Sequence, residues 1–158
     1  MKNKPWKNYA LWIAFTEAVG AFAGIIIKDG VRIYADSIIK PPLSPPSWVF
    51  PVVWSILYAI MGFCAARVSL SKLSKDRRCA LYYYIAQLVF NFFWSIIFFN
   101  AQAFLIAFLW LIALWALIFL TTRQFGKIDS LSGKLMIPYL VWVSFAGYLN
   151  LGVWLLNR

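Results

Sequence analysis

Histidine is absent from this sequence. That removes the commonest zinc ligand, the usual proximal ligand of haem and the usual proton shuttle at neutral pH. Any cofactor chemistry has to rest on other side chains, and no metal site or tightly bound cofactor is expected. Acid is scarce too: five Asp and Glu stand against fifteen Lys and Arg. No acid–base or nucleophile constellation is visible, so ordinary hydrolytic or transfer catalysis is not expected. The two cysteines, Cys64 and Cys79, lie in and at the start of apolar runs. They have no metal-type spacing and are too few for a disulfide framework, so they read as small apolar residues.

What is abundant is apolar surface. Hydrophobic residues make up 63% of the 158 and aromatics 20%, a composition that points to a membrane protein. The net charge of +10 does not imply nucleic acid, because the basic residues are confined to short breaks between apolar runs. Loop lysines and arginines are what the positive-inside rule expects.

The most distinctive stretch runs from Lys40 to Gly62. It opens with four prolines in six residues, Pro41-Pro42-Leu43-Ser44-Pro45-Pro46, which makes a stiff, non-helical approach. Ser47 is a plausible N-cap, and no charge then appears until Arg67. From Cys79 to Thr122 there are 44 uncharged residues, about twice what crosses a hydrocarbon core. This run must fold back, at Asn100-Ala101-Gln102.

Five transmembrane helices follow, over residues 8–28, 46–67, 79–99, 103–123 and 135–157 of a single domain, 1–158. The fold class is an all-α membrane protein, a five-helix bundle with a Pro-rich capping loop between the first two helices. Residues 28–45 are read as that loop, with Gly30 to Ile39 as a short amphipathic helix on the membrane surface. Eleven basic residues fall on the amino-terminal side and four on the other. In a bacterial cell membrane this places the amino terminus in the cytoplasm.

Polar residues inside the membrane are costly and face the bundle interior. Gln87, Asn91, Trp94 and Ser95 share one face of the third helix by spacing. Tyr139, Trp142, Ala146, Asn150 and Trp154 share one of the fifth, and Trp54 and Tyr58 are a turn apart in the second. Converged, they make a flat-sided apolar cavity suited to a large, flat ligand. Trp6, Trp12, Trp110 and Trp115 read as interface or packing residues. Glu17 is the only acid in a predicted span and a candidate proton or cation site. Gly20 and Gly24 form a G-x-x-x-G, which admits close contact within the monomer or across a homodimer.

Three ordered blocks carry a resemblance: Pro41 to Pro51 with Trp54, Leu57-Tyr58 and Met61-Gly62; Asn91 to Phe99; and Pro138 to Ala146 with Leu149-Asn150. Together they resemble the translocator protein family, also called tryptophan-rich sensory proteins or peripheral benzodiazepine receptors. The resemblance implies a five-helix bundle that binds porphyrins such as protoporphyrin IX and, in animals, cholesterol and benzodiazepine-site drugs. It implies a pocket lined by Trp54, Asn91, Trp94, Trp142, Ala146 and Asn150 beneath a loop carrying Tyr34 and Pro45. Tyr58 and Gln87 join on helical spacing.

Porphyrin transport, stress sensing and light-dependent porphyrin breakdown through Trp54 and Trp142 are the activities it implies. A proton-coupled cation exporter using Glu17 is a further alternative from the residues. Two departures stand out. Gly147 follows Ala146 where the family often has Thr, which is expected to reshape the pocket wall. Tyr148 lies ten residues from Arg158, too far for the proposed cholesterol motif.

Overall fold

The computed structural model describes residues 5–158, so Lys2 and Lys4 of the charge count lie outside the described residues. The chain forms α1 (Pro5–Ser37), α2 (Val49–Leu70), α3 (Lys75–Ser95), α4 (Phe104–Ile128), α5 (Ser130–Leu135) and α6 (Ile137–Leu156). A π-helical turn, Ile96–Asn100, continues α3. Among the described residues, five stretches are long and apolar enough to cross a membrane; in the fifth, α5 runs on into α6. The outward faces carry large exposed apolar side chains, such as Leu105, Ile106, Leu109 and Ile112 on α4. In water such a surface is a liability, whereas in lipid it is the required solvent contact.

The first helix departs from expectation. Instead of ending near residue 28, it continues unbroken to Ser37. Its 33 residues rise about 50 Å, against a hydrocarbon core of about 30 Å. Lys28, Asp29, Arg32 and Asp36 therefore mark where the helix leaves the hydrocarbon region, not where it stops. The expected surface helix over residues 30–39 is the upper part of α1. Tyr34 lies on that helix and not in the loop. The connecting segment shrinks to residues 38–48.

Ser47 is not an N-cap. The helix starts at Val49, Trp48 precedes it in right-handed conformation, and no side chain caps the end. The Val49 N–H donates to the Pro46 carbonyl at 3.0 Å instead, closing a turn. Pro42 is followed by Leu43 at φ 67°, the backbone order of a type II turn, and the Ser44 hydroxyl donates to the Pro41 carbonyl at 2.7 Å.

Two ends of the bundle are fastened differently. At the amino-terminal end, Arg67 makes a two-point contact with Asp129, both distances 2.8 Å. Asp129 also caps α5 by accepting from the Ser132 N–H at 2.9 Å. The Arg67 guanidinium, and then Ser132, hold the Asp129 carboxyl well below the usual carboxylate range. Gly133 lies close against Gly126, closing the α4–α5 corner. Both glycines serve packing at this corner.

At mid-depth, fully buried Tyr84 shares a 2.6 Å hydrogen bond with Thr16 and stacks on Phe125. At the other end, the Asn100 amide donates to the Ile26 carbonyl at 3.1 Å.

α1 is clamped where glycine lets backbones touch. A β-carbon on Gly62 would come within 2.6 Å of Ile13 Cα, and one on Gly30 within 2.5 Å of the Phe99 carbonyl oxygen. Between these points α1 carries Gly20, Ala21, Ala23 and Gly24. Gly20 lies against Tyr58, while a β-carbon on Gly24 would meet open space. Gly20 therefore packs within this bundle, while Gly24 lies unpacked beside the cavity described below.

Gly62→Ala is expected to cost about 1–3 kcal/mol through overpacking against backbone. Gly24→Ala should be neutral or slightly stabilising, since alanine favours helix. Thermal unfolding in detergent separates the two; equal midpoints for both variants would contradict the clamp.

Candidate functional site

The gap left between the clamps is a cavity of about 680 Å³, well within the range of small-molecule sites. α1 supplies one wall, from Glu17 through Gly24 to Tyr34. α2 supplies Phe50, Pro51, Trp54 and Tyr58. α3 and its π turn supply Asn91, Trp94, Phe98 and Phe99, and α6 supplies Trp142, Phe145, Ala146 and Asn150. The segment from Ser44 to Ser47 roofs it, with Pro45 on its inner side. α4 contributes no lining residue and packs behind α3 and α6.

The walls are aromatic. Trp54 lies 5.6 Å from Tyr58, 6.1 Å from Tyr139 and 6.4 Å from Trp94, ring centre to ring centre. Trp94 stacks on Phe98 at 5.5 Å. About one turn further along α6 from Tyr139, Trp142 lies 6.1 Å from Phe50 and 5.7 Å from Phe145. Tyr34 closes the top against Phe98 and Phe99, each at 5.5 Å. The π turn widens the helix at this height, as such turns often do beside sites.

The amides do a different job from the one their spacing suggests. The Tyr58 hydroxyl donates to Asn91 Oδ1 at 2.9 Å. Asn91 Nδ2 donates to the Tyr139 hydroxyl at 2.8 Å, and that hydroxyl donates to Gln87 Oε1 at 2.8 Å. Trp94 Nε1 donates to Asn150 Oδ1 at 3.2 Å, and Asn150 Nδ2 to the Phe104 carbonyl at 2.8 Å. These bonds tie α2, α3, α4 and α6 together where lipid offers no alternative partner. Gln87 is fully buried and does not line the cavity. It belongs to the floor beneath, through Tyr139.

Gly147 is also off the wall: a β-carbon there would face Leu111 of α4 at 3.3 Å. Its departure from the family pattern affects helix packing, not cavity shape.

One indole of the cavity is less satisfied. Trp142 Nε1 is buried and has no hydrogen-bond partner among the described residues. A buried unpaired donor is costly, and pairing with an acceptor would relieve that cost. Glu17 is half-buried on the same cavity, with no ion pair among the described residues. Trp110 and Trp115 serve packing. Trp110 donates to the Phe90 carbonyl at 2.8 Å, and Trp115 to the Ser144 hydroxyl at 2.8 Å.

The roof is bolted to α6. The Asn157 side chain accepts from the Ile39 N–H at 3.0 Å and donates back to the Ile39 carbonyl at 2.9 Å. The Tyr148 hydroxyl donates to the Pro42 carbonyl at 2.9 Å. Pro41 sits on Gly152, whose missing side chain makes room for the ring.

This arrangement has known relatives. The chain matches the TspO/MBR family over residues 12–155. It belongs to that family. It is 38% identical to protein CrtK of Rhodobacter capsulatus over 94% of this chain and 92% of the relative. It is 35% identical to the tryptophan-rich protein TspO of Chlorobaculum tepidum, covering 98% and 99% of the two chains. Human translocator protein is 32% identical over 95% of this chain and 90% of its own. A multi-pass protein of the lipid bilayer, with the five-helix bundle of the TspO/MBR family, is thus the setting of the cavity.

Phe50, Phe98, Phe99, Phe145, Lys28 and Lys40 also line the cavity and were not singled out from sequence. With 14 phenylalanines in the chain, spacing alone selects no particular ones. In the sequence Lys28 and Lys40 read as charges that set topology.

Asn157→Ala removes both bonds to Ile39 and should loosen the roof while leaving the transmembrane fold intact. Faster amide hydrogen exchange across residues 38–47, with unchanged exchange in α4, is the expected result. Unchanged exchange in the roof would refute the bolt.

Proposed function

We propose that this TspO/MBR family protein binds a flat, mostly apolar tetrapyrrole, with protoporphyrin IX as the model ligand, and serves porphyrin translocation or stress sensing. The observation that carries this reading is a cavity of about 680 Å³ walled by Trp54, Trp94 and Trp142, with the Trp142 N–H buried and unpaired. Aromatic faces stack on a conjugated ring, and an unsatisfied donor gains a partner when an acceptor arrives.

The absence of histidine favours a metal-free porphyrin held by stacking over an axially ligated haem. The amino terminus is proposed to face the cytoplasm. Among described residues, nine Lys and Arg (Lys7, Arg67, Lys72, Lys75, Arg77, Arg78, Arg123, Lys127, Lys134) lie at that end of the bundle and four (Lys28, Arg32, Lys40, Arg158) at the other.

Titration of the detergent-solubilised protein with protoporphyrin IX should quench tryptophan fluorescence saturably. Trp142→Phe should weaken binding about 5- to 50-fold, for the loss of stacking area and of the hydrogen bond. Gly24→Leu points a side chain into open cavity on a helix that tolerates it, and should abolish binding with an unchanged melting temperature. Undiminished binding in both variants would overturn the reading.

A further inference from the structure

The cavity is electrically lopsided. Among the described residues that line it, Lys28 and Lys40 are the cations and Glu17 is the only acid. Lys28 lies eleven residues beyond Glu17 on one continuous helix, about 17 Å along its axis. Lys40 stands in the roof segment next to Pro41. Both lysines therefore rim the roofed end, and the carboxylate sits toward the opposite end. Between them the α1 wall is neutral: Gly20, Ala21, Ala23, Gly24 and Ile27.

Neither lysine is within ion-pair distance of a carboxylate among the described residues, although Asp29 and Asp36 are on the same helix. Lys40 is also aimed. Its Nζ donates to the Ala35 carbonyl at 2.7 Å and lies 5.5 Å from the centre of the Tyr34 ring, itself part of the cavity lining. That locates the ammonium beside the cavity lining and leaves it N–H groups for a further acceptor.

We propose that Lys28 and Lys40 form an anion-anchoring rim, and that the site selects amphiphiles with a flat apolar body and carboxylates along one edge. This rests on the ligand reading above and adds its orientation. The carboxylate edge meets the lysines under the roof, and the apolar edge descends between Trp54 and Trp142. The inverted pose brings carboxylate toward Glu17, so it is opposed by like charge as well as by lost pairing. Discrimination thus comes from both ends of the cavity.

The test compares protoporphyrin IX with its dimethyl ester, which keeps the ring and removes both charges. Tryptophan quenching is measured on wild-type protein and on Lys28→Gln, Lys40→Gln and the double variant. The wild type should bind the free acid about 10-fold tighter than the ester. Each single variant should lose about 3- to 5-fold in free-acid affinity, as for a partly exposed charge pair. The double variant should lose the preference, with ester affinity changed by less than about two-fold.

Raised salt should erode the preference in the wild type only. Equal wild-type affinity for acid and ester, or an acid preference that survives in the double variant, overturns the rim while leaving the ligand reading intact. Binding of neither compound overturns both.

Discussion

Where α1 touches the bundle, and where it does not, decides everything else in this structure. Glycines at positions 62 and 30 let backbone meet backbone at two heights, against Ile13 and Phe99. Midway between them α1 turns Gly20, Ala21, Ala23 and Gly24 to a region where its partners offer large aromatic side chains. Lipid gives no hydrophobic drive to close that gap, because tails and side chains are equally apolar. The clamped helix stands off, and a cavity persists.

Polar groups play a supporting part that is easily misread. Within a membrane an amide without a partner is expensive, and the bundle spends Asn91, Asn150 and Gln87 on one another's helices. The result is a rigid frame of Tyr58, Asn91, Tyr139 and Gln87 under the cavity, and a second bridge from Trp94 through Asn150 to Phe104. What remains for a ligand is aromatic surface, the Trp142 N–H and the charges at the two ends. Rigidity below and a bolted roof above favour a preformed site, for which binding costs less ordering.

Much of this was legible in the residues. The proline block from Pro41 to Pro46 announced a roof, and Trp54, Asn91, Trp94, Trp142, Ala146 and Asn150 fall on one cavity as their spacing and resemblance implied. Other features were not legible, for physical reasons. Charge at Lys28 and Asp29 signals the edge of the hydrocarbon, and a helix can cross that edge without breaking, so the charge pattern alone ends α1 nine residues short of Ser37. The π turn at Ile96–Asn100 has no proline or glycine to mark it. Helical spacing shows which face Gln87 occupies but not that Tyr139 would stand between it and the cavity. Gly147 looked like part of the pocket wall by its place after Ala146, yet one residue on a helix is a turn of about 100°, enough to face α4.

The central claim is that the space between the glycine clamps is a receiving site and not merely a packing defect. The structure of the protein bound to metal-free protoporphyrin tests it most directly. The account predicts a planar ring between Trp54 and Trp142 beneath the Ser44–Ser47 roof, with the Trp142 N–H paired and α1 unmoved at Gly30 and Gly62. A porphyrin resting instead on the outer, lipid-facing surface, with the cavity unchanged, would contradict it.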